Sequence, residues 1–179
     1  MPPLVPTATE GENIKGPGVF ENGLIVGKFA PLHRGHQLLV DTALSQCRRV
    51  TVMIWSRPDF LEMPQAVRAT WISTIYPQVD VHAPTDPPLD AAEDVIQRIY
   101  VRNYLAKAGI TVDAVFTSED YGDGFAAVLG VPHRSVDRLR QIMPVTGSAI
   151  RRDPAAHAAF LHPVVLEAIR IAGDLDRRG

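Results

Sequence analysis

The chain has 179 residues, of which 46% are hydrophobic and 21% charged, and its formal net charge is -2. That is the profile of one soluble globular domain with a real core, with too little chain for two comfortable domains and no electrostatic case for binding nucleic acid or an acidic membrane surface. Its single cysteine, Cys47, rules out an internal disulfide or a Cys-rich metal site, and no apolar run approaches the ~20 residues of a membrane helix.

Residues 1–18 read as a flexible lead-in, punctuated by Pro2, Pro3, Pro6, Gly11, Gly16, Pro17 and Gly18 without any periodicity. Prolines stand where a signal peptide would carry its apolar core, so a reducing cytoplasm is the expected compartment. The globular domain is expected over 19–173, with 174–179 as a polar tail. Gly23–Gly27 is a short apolar run between glycines, as a buried central strand should be. An apolar helical stripe follows over His36–Arg48 (Leu38, Leu39, Ala43, Leu44), with Cys47 as a buried filler on it. Arg49–Trp55 is a β-branched second strand. Pro64–Tyr76 is a helix with proline at its start, and Val79–Ala83 a short third strand. Asp90–Ala108 is a long helix closed by Gly109. Asp113–Thr117 is a fourth strand, Gly122–Leu129 a short helix, and His133–Val136 a fifth strand. Ser148–Arg152, Ala155–Leu161 and Pro163–Ala172 are C-terminal helical pieces.

This alternation implies a parallel sheet with right-handed crossovers. Such sheets bind ligands beyond the carboxyl ends of their strands, where the strand order reverses. Gly27, Ser56 and Thr117-Ser118 are all at strand ends and are expected near one crevice.

The stretch from Gly27 to His36, Gly-Lys-Phe-Ala-Pro-Leu-His-Arg-Gly-His, leaves a buried strand and enters a helix. His33 and His36 are three apart and share one side of the helix start. Gly35 removes a side chain and lets a ligand approach the backbone. Free N–H groups and the positive helix end favour anions there, and Lys28 adds a mobile cation. The spacing is not that of a P-loop. On the residues alone, a polyphosphate site and a pair of surface histidines both remain open.

Gly27-x-Phe29-x-Pro31-x-His33-x-Gly35-His36 resembles the G-x-F-x-P-x-H-x-G-H signature of the nucleotidyltransferase superfamily related to class I aminoacyl-tRNA synthetases. About a hundred residues later, Val145-Thr146-Gly147-Ser148-Ala149-Ile150-Arg151 resembles that family's I-S-x-T-x-x-R, with Thr and Ser exchanged. Closer still, Gly23 to Val165 resembles the adenylyltransferase domain of NadR-type proteins. Supporting stretches are Thr117–Asp123, Pro64–Trp71 followed by Tyr76-Pro77, and Phe160-Leu161-His162-Pro163.

The resemblance implies a Rossmann-like α/β nucleotidyltransferase fold, a five-stranded parallel sheet with helices on both faces and C-terminal helices. It implies transfer of the adenylyl group of ATP to nicotinamide mononucleotide (NMN), giving NAD and pyrophosphate, with Mg²⁺ bound mainly through the ATP phosphates. His33 and His36 would contact the triphosphate and stabilise the transition state. Arg151 would bind the β/γ-phosphates with Thr146, Gly147 and Ser148 beside it, and Gly27, Phe29 and Gly35 would complete the ATP site. Lys28 would bind phosphate of either substrate.

Around NMN the resemblance implies Ser56, Arg57, Trp71, Ser118, Glu119, Asp120 and Tyr121. Trp71 reads equally as a core residue on the inner face of its helix, Trp55 is a third aromatic candidate that reads more readily as core, and Glu119 and Asp120 could instead cap the next helix. The helix from Asp90 departs from the NadR-type pattern, carrying Arg98, Tyr100, Arg102 and Tyr104 where tryptophans are common. That departure bears on which phosphate is the acceptor and not on nucleotidyl transfer, and two other readings stand beside the first. One is a cytidylyl- or adenylyltransferase acting on another small phosphate or phosphonate. Another is a non-catalytic module that senses NAD or ATP, against which His33, His36 and Arg151 argue. NadR-type proteins often continue into a kinase domain; this sequence ends first, so no kinase activity is expected. Homo-oligomers recur in the superfamily; for this chain a homo-oligomer rests on that analogy alone, since the residues give no oligomeric state.

Overall fold

The computed structural model describes residues 20–176, with side chains through Gly173. The lead-in of residues 1–18 and the end of the tail lie outside the described residues. In chain order the elements are β1 (Phe20–Gly27), α1 (Arg34–Gln46), β2 (Cys47–Ile54), α2 (Gln65–Ile75), β3 (Asp80–His82), α3 (Asp94–Ala108), β4 (Ala114–Thr117), α4 (Gly122–Leu129), β5 (His133–Ser135), α5 (Gly147–Arg152), a 3₁₀ turn (Ala158–Phe160) and α6 (Pro163–Asp176).

The five strands form one parallel sheet in the order β3-β2-β1-β4-β5. The order reverses between β1 and β4, and a crevice opens there beyond the strand ends. Side chains alternate across the sheet with period two. Ile25, Val52, Ile54, Ala114 and Phe116 face one core, shared with Leu39, Val40 and Ala43 of α1, Trp71 and Ile72 of α2, Ile150 of α5 and Val165 of α6. Leu24, Val26, Met53, Trp55 and Val115 face the other, shared with Val101 and Leu105 of α3 and Phe125 and Ala126 of α4. The sheet is therefore wound on both faces, as the sequence pattern implies.

Several boundaries differ from the sequence reading. Helix α1 starts at Arg34, because the His33 side chain caps it. Cys47 is not on that helix: the chain passes straight from α1 into β2, and Cys47 is its first residue, in extended backbone. Its sulfur packs against Gly23, where an added Cβ would fall 2.7 Å from Sγ and 2.9 Å from the Phe116 ring. Helix α3 starts at Asp94 rather than Asp90, since 90–93 form a turn whose Asp90 and Ala92 carbonyls accept from the Gln97 side chain. The expected helix over 155–161 is one 3₁₀ turn, whereas α6 runs four residues past Ala172, to Asp176.

Candidate active site

A cavity of about 610 Å³ occupies the crevice at the β1/β4 switch. Its floor is the loop from Gly27 to His36. Phe29 takes the left-handed backbone (φ 52°) that a bulky residue rarely adopts. That turn buries its ring beneath the site, 4.8 Å from the His36 ring centroid. The strained residue is thus a packing support under an imidazole, which is where such strain tends to be found.

His33 is the N-cap of α1. Its Nδ1 accepts from the backbone N–H of Gly35 (3.1 Å) and His36 (3.4 Å), and His36 Nδ1 accepts in return from the His33 N–H (3.3 Å). This is a capping box built from two imidazoles. With both Nδ1 atoms accepting, each ring carries its proton on Nε2 and offers one N–H. The rings stack at 3.8 Å with 24° between planes. Burial, and then the charge of Arg140, lower the pKa of His33 to about 4. Burial, followed by His33 and Arg140, holds His36 well below its ordinary value. At neutral pH both are neutral donors.

Gly35 has a different reason from the one its place in the motif suggests. An added Cβ would lie 2.9 Å from His33 Cε1 and 3.0 Å from its Nδ1. The space belongs to the folded-back imidazole rather than to an approaching ligand.

The second motif meets this loop from the opposite side. Thr146 caps α5, accepting from the Ala149 N–H at 3.2 Å, and its hydroxyl lies 3.2 Å from that of Ser148. Gly147 passes so close to the first loop that a Cβ would be 2.9 Å from the Ala30 carbonyl oxygen. Arg151 donates to that same carbonyl, and its guanidinium sits 4.7 Å over the Phe60 ring. Two segments more than a hundred residues apart in sequence are thereby joined at Ala30.

Gly27, Lys28, Phe29, His33, Gly35, His36, Ser118, Glu119, Tyr121, Thr146, Gly147, Ser148 and Arg151 all line this cavity. Four of the residues considered for NMN do not. Trp71 is 3% exposed in the core between the sheet, α1 and α2, on the buried face of α2 with Gln65, Arg68 and Ile72. Ser56 is buried, with its hydroxyl spent on the Pro84 carbonyl (3.0 Å). Arg57 is exposed and donates to the Pro87 carbonyl, and Asp120 is exposed and paired with Arg138. Neither Glu119 nor Asp120 caps α4, whose N-cap is Tyr121 without a side-chain cap bond. Trp55, read as core, is both core and cavity wall.

Sequence reasoning missed two arginines. Arg140 lines the cavity, pairs with Glu119, and donates to the Val145 carbonyl at 3.0 Å. Its positive φ of 51° sits in a turn where the Asp137 carboxylate accepts from the N–H groups of Gln141, Ile142 and Met143. No spacing in the sequence announces it. Arg68 is fully buried beneath the site. It donates to the carbonyls of Lys28, Trp55 (3.0 Å) and Met63 (2.9 Å) and pairs with Asp59, so one side chain ties together the exits of β1 and β2. Its signal was an arginine on the inward stripe of an amphipathic helix.

No family model matches the chain. It is 24% identical over 173 residues to the trifunctional NAD biosynthesis/regulator protein NadR of Escherichia coli strain K12, covering 84% of this chain and 42% of that protein. The similarity is confined to a part of that protein. The fold agrees: a crystal structure of NadR in complex with NAD and AMP-PNP superposes with a TM-score of 0.58 at 18% identity, covering 81% of this chain and 45% of that one. A bifunctional NMN adenylyltransferase/ADP ribose pyrophosphatase from Francisella tularensis, complexed with AMP and Mn ion, gives 0.55 at 16% identity, covering 75% and 41%. The chain spans less than half the length of each. Among the described residues, no helix is long and apolar enough to cross a membrane.

Proposed function

We propose that this chain transfers the adenylyl group of ATP to NMN or a close pyridine mononucleotide, giving the dinucleotide and pyrophosphate. One observation carries the reading: two neutral imidazoles at a helix start and the arginine of a distant second motif converge on one cavity at the strand-order switch. A phosphate oxygen of the acceptor attacks the α-phosphorus of ATP, and the bond to the bridging oxygen of pyrophosphate breaks. No covalent enzyme intermediate is needed. The chain's share is positioning and charge neutralisation. His33 and His36 donate Nε2–H to the phosphate oxygens and are held in place by their own capping bonds. Arg151 and Arg140 offset the charge that builds on the leaving pyrophosphate. Lys28, held by Asp90 at 2.6 Å in a half-exposed pair, can trade that carboxylate for a substrate phosphate.

The cavity carboxylates Asp90, Asp94 and Glu119 each hold a cation of the chain. That set fits a divalent ion carried on the phosphate oxygens rather than on a protein cage, where Mg²⁺ would help neutralise pyrophosphate. The Mn ion bound with AMP by the Francisella tularensis protein supports divalent metal use.

The test is incubation of the purified chain with Mg²⁺, ATP and NMN, with NAD read by a coupled dehydrogenase and parallel wells containing CTP. Rapid NAD formation that requires His36 is the expected result. Pyrophosphate from a different nucleotide–acceptor pair would move the chain to another nucleotidyl transfer, and nucleotide binding without turnover would make it a sensor.

A further inference from the structure

Lys28, Arg98, Arg140 and Arg151 all line the cavity. Lys28 is paired with Asp90, Arg98 with Asp94 and Arg140 with Glu119. Arg151 is held differently. Among the described residues, no carboxylate pairs with it. Its partners carry no formal charge: the Ala30 carbonyl, which accepts from Nη1, and the Phe60 ring, whose centroid lies 4.7 Å from Cζ.

The turn between β2 and α2 is built to hold that ring still. The Asp59 carboxylate accepts from the N–H groups of Phe60 (3.0 Å) and Gln65 (3.3 Å), and the Met63 N–H donates to the Phe60 carbonyl at 3.2 Å. The buried Arg68 clamps both ends of the turn, pairing with Asp59 and donating Nε to the Met63 carbonyl at 2.9 Å. Its own Cζ is 5.5 Å from the Phe60 centroid. Phe60 packs against the core, whereas its neighbour Leu61 is 91% exposed. The turn therefore places one ring and leaves the next apolar side chain in solvent.

An aromatic face attracts a guanidinium through its quadrupole and leaves its positive charge in place. A carboxylate in the same position would also hold Arg151, but it would offset that charge and compete with a phosphate for the N–H donors. We propose that Phe60 is a positioning residue for the transfer: its ring keeps the Arg151 guanidinium at the Ala30 carbonyl with its charge undiminished, so that the remaining donors meet the leaving pyrophosphate. This rests on the adenylyl-transfer reading above and adds to it a residue that does not line the cavity.

The experiment measures steady-state pyrophosphate release by the full chain with Mg²⁺, ATP and whichever of NMN and nicotinic acid mononucleotide it uses faster. Phe60→Leu keeps apolar bulk and removes the ring. It should lower kcat/KM for ATP about tenfold, the scale of a partly desolvated cation–π contact, and leave KM for the acceptor unchanged. Phe60→Tyr restores the ring face and should recover most of that loss. In an Arg151→Ala background, Phe60→Leu should cost less than about twofold, because its effect passes through a guanidinium that is already gone. Thermal melts identify a variant that does not fold, and Phe60→Met takes the place of Phe60→Leu if that variant is the one. Wild-type kinetics in the folded ring-less variant overturn the inference and leave the transferase reading standing. So do losses that multiply in the double variant, or a Phe60→Tyr as impaired as Phe60→Leu. No pyrophosphate from the wild type with either acceptor overturns the adenylyl-transfer reading itself, and this inference with it.

Discussion

On the α1 side of the cavity, the polar groups of the free chain are bonded to backbone. His33 and His36 cap the helix and each other, Thr146 caps α5, and Arg151 holds the Ala30 carbonyl. On the α3–α4 side, Trp55 Nε1 and Arg98 Nε are left without partners. A triphosphate presents the same oxygens in every reaction of this kind, so its site can be finished by the chain alone. The first wall is thus preorganised by the chain's own bonds, whereas these two nitrogens of the second are sealed in the fold without a partner.

The sharpest way to break that comparison is His36→Ala. If the phosphate wall is catalytic, kcat in steady-state assays falls roughly 10²–10³-fold, the scale of losing one preorganised donor, with a smaller change in KM for ATP. A near-normal kcat would reduce the imidazole pair to a helix cap.

Arg68→Leu tests what supports both walls at once. The carbonyls of Lys28, Trp55 and Met63 lose their donor inside the fold. We expect a loss of about 3 kcal/mol in urea unfolding, on the scale of breaking a buried charged network. A change below about 1 kcal/mol would show that the strand exits hold themselves.

Acid should act through the α1 side. The pKa of His33 is lowered to about 4 in the fold from an ordinary 6.5. Between those values the unfolded chain takes up the proton first, so this contribution to stability is whole above pH 6.5 and lost as the pH falls toward 4. Its size is at most about 3 kcal/mol. Relative to His33→Asn, the wild type should therefore lose more of its denaturant midpoint between pH 7 and pH 4. By the same depression of both imidazoles, kcat/KM for ATP should show no ionisation near pH 6.5 in the free enzyme. A bell-shaped limb there would place a charged imidazole in the resting site.

The smallest effect expected is that of Gly147→Ala. The added Cβ meets the Ala30 carbonyl at 2.9 Å and Arg151 Nη1 at 3.2 Å. A shift of about 1–2 kcal/mol should appear as a roughly tenfold rise in KM for ATP, with unchanged discrimination between acceptors. A change in acceptor preference would mean that the two walls are not independent.

Much of this molecule is legible in its sequence, because local pattern and fold agree. Strand alternation set the two faces of the sheet, Gly109 closes α3 at φ 68°, and the two motifs mark segments that meet at one cavity. A ten-residue loop between a buried strand and a helix carries its geometry with it, since the helix start fixes which side His33 and His36 share. What the sequence could not give is which face of a helix the crevice opens on. Trp71 and Trp55 are both tryptophans beside apolar residues. Their separation into core and cavity wall depends on how α2 and α3 lie on opposite faces of the sheet. The roles of Arg68, Arg98 and Arg140 are likewise set by partners 5–40 residues away or on other elements. Spacing along the chain determines which groups a single turn presents. Long-range packing alone decides which of them are sealed, which are paired, and which line the cavity.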